Sequence, residues 1–432
     1  MNYDEALKYV ESIGKFGINL GMKRIERFCE ILGSPEKQLK VIHVGGTNGK
    51  GSTTTFLSKI LENAGYKVGV YTSPYIERFT ERIRINKEEI PTCEVARLVT
   101  EMVPHVETLV KEGLDHPTEF EVITAVAFKY FAEQNVDFVV LEVGLGGRFD
   151  ATNVVDPVLE VLTTISLDHI NVLGDNIAKI AYEKAGIIKK DKPLILYPQV
   201  KEAHDVIMEV AKEMNAKIYN VSDVKDEIVS ESVDGTVYNV SGTVKYDNLH
   251  IGILGYYQVM NTKTALLAVK ALKELGYEIS DEAVYNGLLE ARWPARFEVL
   301  TKDPIIVLDG GHNVQGIEAL VDSVNKYFKG KKIKITCGML SDKDYNKMID
   351  DLLSIGDNFV TVTPNNDRAL TSEELATIIR QKGYEAVSAS CITEAVDIAL
   401  QSREEDEMLV FCGSLYMIGE VRGYIKEKLS LS

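Results

Sequence analysis

A glycine-rich stretch with a single lysine, residues 41–53 (VIHVGGTNGKGST), has the residue types and order of a phosphate-binding loop. An apolar run enters the loop and a helix-forming segment leaves it, so several backbone N–H groups and the positive end of a helix dipole converge there. Lys50 adds a full positive charge, and Ser52 adds a hydroxyl able to ligate Mg²⁺. The pattern favours a nucleoside triphosphate site over the alternative, an ordinary glycine-rich turn.

The spacing of this loop differs from that of the usual phosphate-loop motif. Three residues instead of four separate Gly45 from the Gly-Lys pair, and Gly51 stands between Lys50 and Ser52. A dehydrogenase would need a G-x-G-x-x-G turn followed by an acid for the ribose, which G-T-N-G-K-G-S does not supply. Because of this variant spacing, fewer classes of nucleotide-binding protein fit the loop than would fit the usual motif.

Other polar side chains follow predicted strands at the same edge of the expected sheet. Glu142 ends an apolar run just before three glycines, where a buried carboxylate needs a cation or N–H donors. A Mg²⁺ ligand is the favoured interpretation of Glu142, and a carboxylate bonded to loop N–H groups is the alternative. His169 in ISLDH and Ser73 in YTSPY could join it, although a structural histidine and a plain Ser-Pro turn explain them as well.

A lysine stands on the core-facing side of a predicted helix. Lys184 shares that face with Ile177, Ile180 and Ala181. Either its stem snorkels past the core, or burial lowers its pKa and leaves a reactive neutral amine. Composition alone favours snorkelling.

The last third of the chain has a second cluster of polar residues and glycines. LDGGHN (308–313) ends a predicted strand with Asp309, two glycines and His312, which is typical of a site loop, although an Asx turn also uses such residues. Arg296 in WPARFE could contact a nucleotide or form an ordinary ion pair.

Alternating apolar runs and helical patterns predict a doubly wound, mainly parallel α/β sheet in the first part of the chain. Residues 224–254 predict a small antiparallel β patch around Asp234-Gly235. The βα alternation restarts after Trp293-Pro294, so we expect a domain at residues 1–296 and a smaller Rossmann-like α/β domain at 297–432.

Composition excludes several classes of function. Lysine plus arginine number 48 against 65 acids, and the net charge of −17 argues against nucleic acid or anionic membranes as partners. The five cysteines are scattered without a C-x-x-C, which indicates reduced thiols, mostly in the core. The amphipathic N-terminus lacks a signal-peptide pattern and no apolar run approaches membrane-spanning length, so we expect a cytoplasmic protein.

Taken together, the motifs resemble the folylpolyglutamate synthase/dihydrofolate synthase family, a branch of the ADP-forming Mur ligases. The matching segments are GTNGKGS (46–52), TSPYIERFTERIRIN (72–86), TEFEVITAVAF (118–128), EVGLGGRFDATN (142–153), ISLDHINVLG (165–174), IAYEKAGIIK (180–189), WPARFE (293–298), LDGGHN (308–313) and GSLY (413–416). A peptidoglycan-precursor ligase usually carries a UDP-binding domain before the loop, and 40 residues before Val41 are too few for one.

The resemblance implies roles for particular residues. Two Mg²⁺ ions would be held by Ser52, Ser73, Glu142, His169 and Lys184, the last as a carbamate. ATP would be bound by Asn48, Gly49, Lys50, Gly51, Ser52, Asn261, Arg296, Asp309 and His312, of which Lys50 and His312, with Lys184, are also implied in catalysis. Folate would be bound by Thr118, Glu119, Phe120, Phe149, Asp150 and Ala151, with Arg148 for its acid end. Lys343 and Ser414 are assigned to glutamate or phosphate.

The resemblance also implies the reaction, which is ATP-dependent addition of L-glutamate to dihydropteroate or a reduced folate through an acyl phosphate. The protein is expected to act as a monomer. Tyr75 and Tyr257 stand where the family commonly has histidine, so these two positions bear on substrate preference more than on ATP chemistry. Ala295 and Gly311 are small-residue replacements. A Mur-type ligase with another carboxylate substrate and a non-catalytic nucleotide-binding protein are the alternatives.

Overall fold

An eight-stranded sheet forms the centre of the first part of the chain in the computed structural model, which describes residues 1–14, 19–255 and 257–431. The strands are β1 (Val41–Gly45), β2 (Val68–Tyr71), β3 (Ile83–Ile85), β4 (Glu88–Glu89), β5 (Phe138–Glu142), β6 (Leu159–Leu162), β7 (Pro193–Leu196) and β8 (Lys217–Asn220). Their order is β4-β3-β2-β5-β1-β6-β7-β8. From β2 to β8 the pairs are parallel, whereas β3 and β4 run antiparallel at one edge.

Helices follow most of these strands and cover the sheet. They are α1 (Tyr3–Ile13), α2 (Lys23–Ile31), α3 (Lys50–Asn63), α4 (Thr92–Lys111), α5 (Glu119–Glu133), α6 (Ile170–Leu173), α7 (Ile177–Ala185), α8 (Lys201–Glu213), α9 (Gln258–Glu274) and α10 (Asp281–Glu290). The central strands β1, β2, β5, β6 and β7 are buried at every position, as expected for parallel strands with helices on both faces. The predicted doubly wound sheet is confirmed.

A three-stranded sheet follows, with the order β11-β10-β9. It consists of β9 (Val224–Ser232), β10 (Gly235–Gly242) and β11 (Tyr246–Ile251). Only two residues join β9 to β10, and so short a connection permits only an antiparallel hairpin. The sequence placed this patch correctly.

The last part of the chain forms a smaller sheet with the order β12-β13-β17-β14-β15-β16. Its strands are β12 (Glu298–Lys302), β13 (Ile305–Leu308), β14 (Lys332–Cys337), β15 (Asn358–Thr361), β16 (Glu385–Ser388) and β17 (Glu407–Cys412). Its helices are α11 (Val314–Tyr327), α12 (Tyr345–Leu353), α13 (Ser372–Gln381), α14 (Ile392–Gln401) and α15 (Leu415–Lys428). Only β12 is antiparallel to its neighbour, so the expected Rossmann-like α/β fold is present.

By its internal contacts the chain separates into two units. The first unit comprises Met1–Glu227, Asn239–Leu249 and Met260–Ala291, and the second comprises Ile228–Tyr238, His250–Val259 and Arg292–Ser432. The five cysteines are free thiols, three of them buried, as the sequence indicated. In the described part of the chain, no helix combines the length and the apolar character that crossing a membrane would require.

A buried carboxyl group on β6 makes stability depend on pH. Glu160 is inaccessible to solvent, and burial raises its pKa to about 8, although one oxygen accepts a hydrogen bond from the Lys189 N–H at 2.7 Å. The unfolded carboxyl titrates near 4.5, so the folded state binds the extra proton between that value and pH 8. The stability that this proton contributes is therefore lost as the pH rises through that window.

We expect Glu160→Gln to remove this part of the pH dependence, because glutamine stays neutral throughout. From pH 6 to pH 8 the variant should gain about 2 kcal/mol in free energy of unfolding relative to the wild type. Urea unfolding of both proteins at the two pH values measures the difference. Equal pH slopes would show that Glu160 is ionised in the folded protein.

Candidate active site

The predicted phosphate loop joins β1 to α3 and depends on two glycines. Gly46 has φ +139° and Gly49 has φ +88°, backbone conformations that residues with a side chain rarely adopt. A Cβ at Gly46 would lie 1.9 Å from Oγ1 of Thr163, and one at Gly49 would lie 2.8 Å from Oδ1 of Asn261. The loop therefore requires glycine at both positions, and Asn261 of α9 packs directly against it.

The segment after β6 braces the loop from the side. The N–H of Thr47 donates to the carbonyl of Thr164 at 2.6 Å, and the N–H of Ser166 donates to Oγ1 of Thr47 at 3.1 Å. Lys50, the first residue of α3, donates from Nζ to the carbonyls of Gly46 at 3.2 Å and Thr47 at 3.0 Å. The cation is thus held across the loop at the start of the helix.

Lys184 is buried against the same loop. Its Nζ donates to the carbonyl of Gly46 at 2.8 Å, and only 5% of the residue is exposed. Burial, followed by the nearby charge of Lys50, lowers the pKa of Lys184 to about 7, while Asp168 and Asp150 oppose that shift. The snorkelling that composition favoured is wrong, because the amine ends inside the protein and not in solvent.

The order of the central strands brings the other predicted metal ligands to this edge. Neighbouring strands β2, β5, β1 and β6 run parallel, so their carboxyl ends lie side by side. Ser73 follows β2, Glu142 ends β5 in register with Val44 of β1, and His169 follows β6. Glu142 is 5% exposed, and His169 is the N-cap residue of α6, with Nε2 3.9 Å from Oδ1 of Asp168.

Of these side chains, the Glu142 carboxylate and the Ser52 and Ser73 hydroxyls offer oxygen donors of the kind that a hard divalent cation prefers. Across the described residues, no group of three or more His, Cys, Asp and Glu side chains is arranged to hold a metal. The predicted set contains only two residues of those types, Glu142 and His169, and relies on hydroxyls and a modified lysine for the rest. Carboxylate, hydroxyl and carbamate oxygens are the donors that Mg²⁺ prefers, and a buried amine with a pKa near 7 suits CO₂ addition.

The segments predicted to bind folate meet in the first unit. Phe120 packs so closely on Gly144 that a Cβ at the glycine would lie 2.4 Å from its ring. Thr118 caps α5 in a capping box with Glu121, and Glu119 lies 3.8 Å from Arg82. Burial raises the pKa of Glu119. Thr118 therefore fixes the start of the helix that presents Glu119 and Phe120.

In the loop after β5, the side chains differ sharply in exposure. Asp150 is buried, accepts hydrogen bonds from the N–H groups of Leu145 at 2.7 Å and Thr152 at 3.0 Å, and has a pKa raised by burial. Arg148 stacks on the ring of Tyr182, 4.0 Å from its centroid, and donates to the Tyr182 carbonyl at 3.2 Å. Phe149 is 43% exposed. Asp150 and Arg148 thus brace the loop while Phe149 projects from it. The neighbouring Ala151 is buried at the start of a short 3₁₀ helix.

In the second unit, Asp309 organises the turn after β13. It is buried and accepts hydrogen bonds from the N–H groups of Phe297 at 2.8 Å and Gly311 at 2.6 Å. Burial raises its pKa, and the charge of Arg296 opposes the shift. His312 places Nδ1 2.9 Å from the carbonyl of Gly310. Asp309, Arg296 and His312 therefore lie close together in this turn.

Two other predicted site residues of this unit, Ser414 and Lys343, lie at the start of a helix and in a turn. Ser414 is 1% exposed and accepts a hydrogen bond from the Tyr416 N–H at 3.2 Å as the N-cap of α15. Lys343 is half-buried in the turn before α12, where its N–H donates to the Leu340 carbonyl at 3.3 Å.

Tyr75, which replaces a common histidine, is 39% exposed, and its ring centroid lies 5.1 Å from the Arg82 guanidinium carbon.

Sequence reasoning missed Asp168, although it precedes His169 in ISLDH, and it missed Thr163 and Thr164. The signal for the threonines was their place near the carboxyl end of a predicted strand, and in the structure they directly follow β6.

Comparison with known proteins shows which families the chain resembles. Residues 44–269 match the Mur ligase middle domain, and residues 295–415 match the Mur ligase glutamate ligase domain. The dihydrofolate synthase/folylpolyglutamate synthase of Bacillus subtilis is 38% identical over 430 residues, covering 98% of this chain and 99% of the relative.

Two solved structures are similar over almost the whole chain. Folylpolyglutamate synthase of Thermotoga maritima has a TM-score of 0.86 at 34% identity, covering 99% of this chain and 97% of that one. Escherichia coli FolC in complex with DHPP and ADP has a TM-score of 0.88 at 31% identity, covering 99% of both chains.

Proposed function

The chain belongs to the folylpolyglutamate synthase/dihydrofolate synthase family of Mur ligases, and from this premise we propose how its residues carry out the ligation. It is an ATP-dependent ligase that forms ADP and acts on folate or pteroate carboxylates. We propose that L-glutamate is the amine substrate, and we assign roles to single side chains.

The chemistry explains why ATP is consumed. A carboxylate resists attack by an amine until one of its oxygens becomes a good leaving group. Transfer of the ATP γ-phosphoryl group to the acceptor carboxylate gives an acyl phosphate and ADP. The amine of L-glutamate then attacks the acyl carbon, the C–O bond to phosphate breaks, and the amine proton is lost to solvent. Positioning and charge neutralisation dominate the phosphoryl step.

The proposal rests above all on two lysine side chains that donate hydrogen bonds to the same loop carbonyl, that of Gly46. Nζ of Lys50 lies 3.2 Å and Nζ of Lys184 lies 2.8 Å from the oxygen of Gly46. Lys50, with the backbone of Asn48, Gly49 and Gly51, receives the phosphates, and Asn261 stands against the loop at Gly49. We assign Arg296, Asp309 and His312 to the nucleotide as well.

Lys184 has a different task in this scheme. Its neutral amine adds CO₂, which forms an N–C bond and releases one proton, so that a neutral side chain becomes an anion. With Ser52, Ser73, Glu142 and His169, the carbamate would hold two Mg²⁺ ions. When bound, those ions supply positive charge that screens the β- and γ-phosphate oxygens from the incoming carboxylate.

The acceptor is assigned to the loop after β5 and the start of α5. Phe120 and Phe149 offer aromatic faces on which a planar pterin can stack, and Thr118, Glu119, Asp150 and Ala151 frame them. Arg148 is assigned to the acid end of this substrate. Lys343 and Ser414 are assigned to glutamate or phosphate.

An ADP-release assay tests the proposal and separates it from its alternatives. Dihydropteroate and reduced folates of several tail lengths are offered in parallel, each with and without L-glutamate. We expect ADP release that depends on both a pterin acceptor and glutamate. A Mur-type ligase for another carboxylate would ignore every pterin, and a nucleotide-binding protein would bind ATP without glutamate-dependent ADP release. Either result would reject the proposal.

A further inference from the structure

A chain of buried polar side chains runs beneath the active-site edge, and two of its three members, His43 and Thr152, have no role in the reaction described above. His43 in β1 places Nε2 2.8 Å from Oγ1 of Thr152. That hydroxyl donates in turn to Oδ1 of Asp150 at 2.5 Å. His43 and Thr152 are inaccessible to solvent, and Asp150 is 4% exposed. The three side chains join segments that lie more than a hundred residues apart in the sequence.

The direction of each hydrogen bond follows from proton counting. A hydroxyl has one proton, and Thr152 gives it to the carboxylate, so the same oxygen must accept from His43. His43 is therefore the tautomer with its proton on Nε2. Burial lowers the pKa of His43 to about 3, so the ring is neutral and Nδ1 carries no proton. In agreement, Nδ1 meets no hydrogen-bond partner among the described residues.

Each end of this chain leads to a different part of the site. His43 lies two residues before Gly45, where β1 passes into the phosphate loop. At the other end, Oδ2 of Asp150 accepts from the Leu145 N–H at 2.7 Å, next to Gly144 on which Phe120 packs. The acceptor loop, residues 144–150, is thus tied through two hydrogen bonds to the strand that carries the nucleotide loop.

We propose that Thr152 is a positioning residue for the acceptor, holding the loop of residues 144–150 in register with the strand that leads to the phosphate loop. This inference rests on the proposed function, since it assumes that the acceptor lies on this loop. Among the residues that the structure describes, the Thr152 hydroxyl is the group that bonds both His43 and Asp150, so its loss releases Asp150 from β1. The nucleotide loop should be unaffected, because β1 remains paired with β5 and β6.

The test compares Thr152→Val, which keeps the shape and removes the hydroxyl, with Thr152→Ser, which keeps the hydroxyl. We expect Thr152→Val to raise KM for the pterin acceptor about tenfold, because two buried partners lose their hydrogen bonds. KM for ATP and the affinity for ADP should stay within about twofold of the wild-type values, because the nucleotide loop is unaffected by the loss of these hydrogen bonds. Thr152→Ser, which keeps the hydroxyl, should have the same acceptor KM as the wild type.

A control and a second pair of variants distinguish positioning from general loss of stability. Thr361→Val removes another fully buried threonine hydroxyl, which donates to the Ser372 carbonyl at 2.8 Å in the second unit, and should leave the acceptor KM unchanged. If Thr152→Val does not fold, His43→Leu and His43→Gln repeat the comparison, since only glutamine keeps a donor near the Nε2 position.

The outcomes separate this inference from the proposed function. Wild-type protein without pterin-dependent ADP release contradicts the proposed function itself. If the wild type is active and folded Thr152→Val has an unchanged acceptor KM, only the positioning role is overturned. The same holds if the KM for the acceptor and the KM for ATP rise equally in this variant. A selective rise in acceptor KM, reversed in Thr152→Ser, supports it.

Discussion

Replacing Lys184 with alanine is expected to lower kcat by about a thousandfold or more, which corresponds to ~4 kcal/mol of lost transition-state stabilisation. The lysine is buried beside the phosphate loop with its amine 2.8 Å from the Gly46 carbonyl. If it carries a carbamate, its removal deletes a buried anion that helps to hold the metal ions. Metal ions at this site would then be held by fewer anionic ligands and would neutralise less of the phosphate charge.

A matched control and two independent measurements sharpen this prediction. Lys179→Ala removes an exposed lysine of the same helix, which pairs with Asp175 at 3.0 Å, and should leave kcat unchanged. A small carboxylate such as acetate should restore part of the activity of Lys184→Ala. With ¹³C-bicarbonate, wild-type protein should show a carbamate resonance that Lys184→Ala lacks. Full activity in Lys184→Ala would remove the carbamate from the scheme.

Replacing Lys50 with methionine should have a comparably large effect, with kcat reduced about a hundred- to a thousandfold. Methionine keeps the length and apolar stem of lysine but cannot neutralise the charge that moves onto the β–γ bridging oxygen. The amine already lies within 3.2 Å of two loop carbonyls, so it needs little reorganisation to meet the phosphates. Stopped-flow or steady-state measurement of ADP release gives kcat directly.

Lys59→Met is the control for this second prediction. Lys59 lies on the same helix and pairs with Glu62 at 2.7 Å, away from the loop. Its loss should cost some stability and leave kcat within about twofold, as expected for a pair outside the site. If Lys50→Met and Lys59→Met gave similar rates, the loop would bind something other than the transferred phosphate.

The phosphate loop and the sheet edge around it could be predicted because their signals are local. Glycines, one lysine and a following helix stand together in the sequence, and parallel strands must align their carboxyl ends. Glu142 could be placed at that edge from its position in an apolar run alone. The capping box of Thr371 and Glu374 at the start of α13 is a similarly local feature, since its two residues lie three positions apart.

Long-range contacts could not be predicted from the sequence. Periodicity placed Lys184 on the core side of α7 but left open whether its amine reached solvent, because its partner, Gly46, is 138 residues away. The same holds for Arg148, whose stacking on Tyr182 depends on how α7 packs beside the loop. The tie between His43 and Thr152 needs the finished sheet before its two ends meet.

The proposed mechanism requires phosphorylation of the acceptor carboxylate, and isotope transfer from that carboxylate to phosphate detects this step. The acceptor is prepared with ¹⁸O in both oxygens of the reacting carboxylate and is turned over with ATP and L-glutamate. Released phosphate is then examined by ³¹P NMR. If the carboxylate attacks the γ-phosphorus and the amine later expels phosphate, each phosphate carries one ¹⁸O from the acceptor. Phosphate free of ¹⁸O, formed together with the amide product, would contradict the account.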